Sequence, residues 1–184
     1  MTLQIITPPA QEPLSLAEAK TYLRVDHTDE DDLIGELIKS ARQRVEALTG
    51  RALITRRVVE VRDYWPCASQ HALPVSPVTE AHEIRLIDAN GVAEILPSAD
   101  WYADLKSDPA RLVSLKGIWP RQKRDAGGIE IEFSAGYGED PGDAPEPLRQ
   151  AIRELTAQAY EGRGEEPAPL SVQALLAPYV RGRL

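Results

Sequence analysis

The chain has 184 residues, a formal net charge of -8 and a pI near 5.0, a length that supports one domain with its own apolar core. Its single Cys67 excludes an internal disulfide and a cysteine metal cage, and it fits a reducing compartment. The acidic balance argues against a protein that grips DNA through a basic patch, and no apolar run approaches the roughly 20 residues that cross a bilayer. Residues 1–6 carry no basic region and no cleavage motif, so they do not read as a signal peptide.

Residues 7–13 are Pro-rich and extended. Ser15 then reads as a helix cap, with Glu18 three positions on to complete a capping box and Leu14 with Ala19 as a hydrophobic staple. This first helix should end near Arg24-Val25. Thr28 or Asp29 starts the second, whose first turn gathers Asp29, Glu30, Asp31 and Asp32 where the helix dipole favours negative charge. Leu33, Ile34, Leu37, Ile38, Ala41, Val45 and Leu48 recur at helical spacing and predict one buried stripe. Lys39, Arg42 and Arg44 match the dipole at the far end, and Gly50 suits a left-handed helix terminus.

From Ile54 the period changes to that of strands, with Val59 and Val61 alternating with Glu60 and Arg62. Two hairpins follow, Glu83–Asp88 with Val92–Leu96 around Asn90-Gly91, and Trp101–Leu105 with Arg111–Leu115 around Ser107-Asp108-Pro109. Ile129 to Phe133 alternates strictly. A long helix begins near Pro147, with Leu148, Ala151, Ile152, Leu155 and Ala159 on its apolar face and Gly162 at its end. Residues 164–169 read as a linker, and Ser171 caps a last short helix that Pro178 stops.

These patterns predict an α+β fold: a helical core of two N-terminal helices and a later long helix, with an antiparallel β-rich insert and a C-terminal arm. Residues 1–53 form the N-terminal helical part. Residues 54–136 form the insert, as a small antiparallel sheet or open barrel. Residues 137–163 supply the helix that completes the core, and residues 164–184 are linker and arm.

No constellation for chemistry stands out. His27, His71 and His82 lie apart, with no metal-ligand spacing, and read as surface or loop residues. Asp29 to Asp32 lack the alternating ligands and central glycine of a calcium loop. Gly136-Tyr137-Gly138 lacks the third glycine of a dinucleotide fingerprint and reads as a turn. Cys67 has no basic neighbour to activate it, and no Gly-x-Ser-x-Gly motif occurs. A site assembled from distant residues stays open, so a monomeric enzyme or ligand-binding module using the insert is the alternative reading. The tail is different. Its apolar residues Leu170, Val172, Leu175, Leu176, Tyr179 and Val180 either dock on the chain's own core or form an arm that fills a groove on a partner.

Pro13 to Lys20, Leu23-Arg24-Val25-Asp26, Asp29-Glu30-Asp31, Thr49-Gly50-Arg51, Ala135 to Gly138, Tyr160-Glu161-x-Arg163 and Leu175 to Tyr179 together resemble the head–tail connector (adaptor) proteins of long-tailed bacteriophages, prophages and gene transfer agents. The insert matches only in pattern. The resemblance implies a structural protein with no catalytic residue, cofactor or metal. It implies a ring, usually of twelve copies, beneath a portal protein, extending the DNA channel towards a tail-side stopper or terminator protein. DNA would pass through without specific binding. The location implied is a virion or phage-like particle, with bacterial cytoplasm during assembly and no membrane. By position, Leu170, Val172, Leu175, Leu176, Pro178, Tyr179 and Val180 inherit a portal-binding role. Asp29, Glu30, Asp31 and Asp32 become candidates for facing the lumen. One departure is Val180, which stands between Tyr179 and the basic Arg181.

Overall fold

The computed structural model describes residues 1–162 and 167–180. The expected linker at Gly164-Glu165-Glu166, and Arg163 and Arg181, lie outside the described residues. The chain divides into two compact units, Met1–Pro8 with Thr55–Gly136 and Pro9–Ile54 with Tyr137–Leu184.

The second unit is helical. Helix α1 spans Leu16–Leu23 and begins as its sequence predicts: the Glu18 N–H donates to Ser15 Oγ at 3.2 Å, and the Ser15 N–H donates back to the Glu18 carboxylate at 2.9 Å. Those bonds, chiefly the one from the Ser15 backbone, with Arg149 adding to them, hold the Glu18 carboxyl below its ordinary range. Arg24 ends the helix in a left-handed conformation. Helix α2 spans Asp31–Thr49, starting two residues later than Asp29, because Thr28 to Glu30 form a turn ahead of it. Gly50 closes it at φ 70°, a conformation that costs a glycine nothing. Helix α3 spans Glu146–Gly162 and α4 spans Leu170–Leu176. Ile34, Ile38 and Val45 of α2 pack in one core with Leu148, Ile152 and Leu155 of α3.

The stripe on α2 is narrower than its hydrophobicity suggests. Leu33 and Leu48 are exposed, and Leu37 is half-buried. Arg42 and Glu46, by contrast, are both buried. Arg42 Nη1 donates to Glu46 at 2.7 Å and Nε to Glu12 at 2.6 Å, while the Leu53 N–H donates to Glu46 Oε1 at 3.0 Å. Charges enter a core only when paired in this way. Arg42 is therefore not a solvent-facing complement to the helix dipole, and no basic residue occupies the last turn.

The first unit is built of strands. A five-stranded antiparallel sheet has the order β1–β2–β8–β4–β5, from Thr2–Thr7, Arg56–Arg62, Ile129–Ala135, Val78–Ile87 and Ala93–Ile95. A three-stranded sheet has the order β3–β7–β6, from Gln70–Ala72, Arg111–Ser114 and Trp101–Asp104. Both expected hairpins form, as β4–β5 and β6–β7. Residues 2–7, which the sequence places at the head of the N-terminal helical part, form a strand of the larger sheet. Their β-branched Thr2, Ile5, Ile6 and Thr7 favour extension, and they pair with β2.

The register divides the larger sheet into two faces. Val58, Phe133, Ile131 and Ile84 share the apolar face. On the other, Arg57 pairs with Glu132, and Arg85 reaches Glu83 at 2.9 Å and Glu130 at 3.1 Å. Glu60 breaks the expected polar-out alternation. It lies on the apolar face, fully buried, within 2.8 Å of both Arg62 Nη1 and His71 Nε2. His71 is thus a buried strand residue, not a surface one. The edge of Trp65 meets its ring at 6.2 Å, and Trp119 stacks on Trp65 at 4.2 Å.

At the β6–β7 turn, Ser107 Oγ donates to Asp104 Oδ2 at 2.6 Å and Arg111 Nη2 donates at 2.7 Å. These bonds hold the Asp104 carboxyl at about 2, from an ordinary 3.8. A depressed folded-state value means that these contacts support the turn above pH 3.8 and are lost as pH falls towards 2. Carbon-detected NMR titration should show Asp104 titrating well below 3.8, and Ser107→Ala should return it towards that ordinary value.

Candidate partner-binding arm and its anchors

The arm begins beyond the described end of α3. Leu170 to Leu176 form one short helix, α4, and Ala177 to Tyr179 add a single 3₁₀ turn. Two of the seven sequence-predicted arm residues lie in the core: Val172 and Leu176 are buried among the apolar side chains of α2 and α3. Leu175 and Tyr179 are half-buried against the same core. Leu170, Pro178 and Val180 are exposed, Leu170 at 82%. Spacing explains the division, since positions four apart in a helix share a face. Polar contacts fasten the arm as well. Ser171 Oγ donates to Glu154 at 2.7 Å, and Gln158 Nε2 donates to the Pro167 carbonyl at 3.2 Å.

A further anchor is Arg51. Gly50 turns the chain out of α2 and presents Arg51, whose Nε donates to the Tyr179 carbonyl at 2.9 Å. Its guanidinium stands 5.8 Å from the centre of the Tyr179 ring, and Nη1 reaches the Tyr137 hydroxyl at 3.4 Å. Three sequence fragments, Thr49-Gly50-Arg51, Gly136-Tyr137-Gly138 and Leu175 to Tyr179, therefore meet at one guanidinium. Each fragment is visible in the sequence; their meeting is not, because it joins residues 128 apart. Gly138 has its own requirement. A Cβ there would fall 1.9 Å from Asp143 Oδ2, so only glycine fits.

The acidic cluster does not act as one surface. Asp31 takes the Lys20 ammonium at 2.5 Å, tying α1 to α2. Glu30 accepts from the Tyr160 hydroxyl and lies 3.7 Å from His27, tying the start of α2 to α3. Asp29 and Asp32 are exposed.

The sheet unit holds a cleft of about 470 Å³ lined by Leu96, Ile118, Trp119 and Pro120, with Lys116 and Arg121 beside them. Its one carboxylate, Asp100, is paired with Lys116 at 2.6 Å. Cys67 is exposed and lies outside this cleft. Among the described residues, no group of three or more His, Cys, Asp or Glu is placed to hold a metal ion. No described helix is long and apolar enough to cross a membrane.

Residues 13–84 match the family model of the phage gp6-like head–tail connector proteins. No curated protein matches the chain. Among solved structures, a chain from the neck of an empty gene transfer agent particle, computed with C6 symmetry, superposes with a TM-score of 0.88 at 29% identity. A chain from the virion of a native gene transfer agent particle gives the same values. A chain from the neck of a native particle, computed with C12 symmetry, gives 0.84 at 29% identity. Each comparison covers 100% of this chain and 97% of the other. The likeness therefore runs through both units, and α1, α2, β2, β3 and most of β4 are the part that the family model matches independently. By family model over residues 13–84 and by fold over the whole chain, this chain is similar to the head–tail connector proteins of phage and gene transfer agent particles.

Proposed function

We propose that this chain is a structural subunit of a particle neck, joining the DNA-filled head to the tail. The observation that carries this reading is the end-to-end superposition on neck chains of gene transfer agent particles. Copies associate in a ring, twelve in the full assembly, and the ring continues the channel below a portal protein towards a tail-side stopper or terminator. The role needs no catalysis and no cofactor. The net charge of -8 suits a passage through which DNA slides without being gripped. The chain's place is the particle, which it joins during assembly in the bacterial cytoplasm. Asp29 and Asp32, exposed at the start of α2, are the cluster members best placed to face the lumen.

The arm is the proposed portal contact. Val172 and Leu176 hold α4 against its own core, whereas Leu170, Pro178 and Val180 present an apolar surface outward. Cutting the chain at Gly164 would remove both groups, and each buried anchor lost costs about 1.5–3 kcal/mol. Truncation thus confounds folding with binding. The cleaner test is Leu170→Glu with Val180→Glu, at positions 82% and 50% exposed. Melting temperature should stay near the parent's, since exposed substitutions usually shift stability by about 0.5 kcal/mol or less. Co-sedimentation with the particle's portal protein should be lost. Unchanged co-sedimentation would remove the arm from the portal contact.

A further inference from the structure

We infer that neighbouring copies join through the two outer strands of the five-stranded sheet, β5 of one copy running beside β1 of the next. The inference rests on the connector reading and adds to it the surface by which the ring closes.

Three observations point the same way. The first is that both outer strands have a free side and carry exposed apolar residues. Ile5 and Ile6 of β1 are 54% and 50% exposed, and Val92 and Ile95 at β5 are 64% and 58% exposed. Solitary proteins usually blunt such edges with charge or proline. Strand β1 reads Thr-Leu-Gln-Ile-Ile-Thr, with neither.

The second is that the two edges differ in charge. Beside β1, β2 contributes Arg57 and Arg62, and on the opposite side β4 and β5 contribute Glu80 and Glu94. Arg57 also pairs with Glu132 within the copy, and Lys123 with Glu94. Even so, the two exposed acids, Glu80 at 69% and Glu94 at 63%, lie on the β5 side, and the half-exposed Arg57 at 47% lies on the β1 side. Unlike edges attract; like edges repel.

The third is direction. Each neighbouring pair in the order β1–β2–β8–β4–β5 is antiparallel, so β1 and β5 run the same way. Ring neighbours are related by a small rotation, which leaves strand direction almost unchanged. An outgoing β5 therefore meets an incoming β1 in parallel, a pairing that sheets accept. A two-fold dimer would instead set β1 on β1 or β5 on β5, like on like. Two unlike, complementary edges make the head-to-tail contact that generates a closed ring.

The test uses the full chain mixed with the portal protein of its own particle, in a Cys67→Ser background. Gln4 and Ile95 lie on the same sheet face by register, so Gln4→Cys with Ile95→Cys sets one thiol at each edge. A short bifunctional thiol reagent should then give a ladder of multimers on denaturing gels, and neither single variant should give more than monomer. Separately, Ile5→Lys with Ile95→Lys should abolish the ladder's parent assembly while the melting temperature holds, since both positions are exposed. Portal binding with no ladder from the double-cysteine chain, or normal rings from the double-lysine chain, would overturn the edge contact and leave the connector reading standing. A dimer from Gln4→Cys alone would overturn it in favour of a two-fold contact. A parent chain that binds no portal would sink the connector reading, and the edge contact with it.

Discussion

Ile38→Asp is expected to unfold the helical unit, whereas Leu37→Asp at the neighbouring position should leave it folded. Ile38 is 2% exposed and packs in the core that α2 shares with α3, while Leu37 is only half-buried. A carboxylate at position 38 would sit in that apolar core, and the cation four residues on, Arg42, is already held by Glu12 and Glu46. An unpaired buried charge costs about 3–5 kcal/mol, a large part of the roughly 5–15 kcal/mol that holds a domain together. At position 37 the carboxylate turns to solvent, and the loss is nearer 1 kcal/mol. Circular dichroism melts of the two variants check this directly. Equal melting temperatures would mean that the buried face of α2 has been misassigned by one residue.

Arg42→Ala is expected to cost about 3–5 kcal/mol, a charge deletion with the effect of a core truncation. Arg42 is 4% exposed, and its side chain lies between the Glu46 and Glu12 carboxylates. Burial works against the Arg42 charge, but the hydrogen bond to Glu12 and the Glu46 carboxylate outweigh it and raise its proton affinity. Removing the guanidinium leaves Glu46 buried without its arginine. The double variant Arg42→Met with Glu46→Leu removes both charges and should recover most of the loss, because buried pairs are often replaceable by apolar residues of similar volume. Urea melts of the single and double variants measure it. A double variant as unstable as Arg42→Ala would show that the Glu46 contact to the Leu53 N–H, and not the ion pair, carries the stability.

Both cases show how much of this chain is legible in its sequence. Helical period places Ile34, Ile38, Ala41 and Val45 in the core of α2, and there they lie. It also nominates Leu33 and Leu48, which are exposed, and it passes over Arg42, because hydrophobicity cannot see that Glu12, 30 residues upstream, pairs with it. Local signals do well where the physics is local: the Ser15–Glu18 capping box, the Asn90-Gly91 hairpin and the Gly50 terminus all form. Strand β1 has no turn beside it to announce it, since its partner β2 lies some fifty residues away. Glu60 and His71 read as polar surface positions because their meeting depends on two separate sheets. The arm divides the same way. Its apolar residues are plain in the sequence, but which of them anchor and which are presented follows from α4 lying on the core. Arg51, the residue that ties Tyr179 down, is visible only as part of a motif.

All of the sheet unit except β1 enters the helical unit between Ile54 and Tyr137, and at that doorway the Tyr137 N–H donates to the Leu53 carbonyl at 3.4 Å. To the helices, everything from Thr55 to Gly136 is one closed loop whose two ends are pinned together. The entropy of closing such a loop grows only with the logarithm of its length, by about 0.6 kcal/mol per doubling. The helices are therefore nearly indifferent to what the loop contains. Strands can be added to or trimmed from it at little expense to the fold that hosts them, which leaves the inserted sheet free to change with whatever it must touch while the helical frame stays constant.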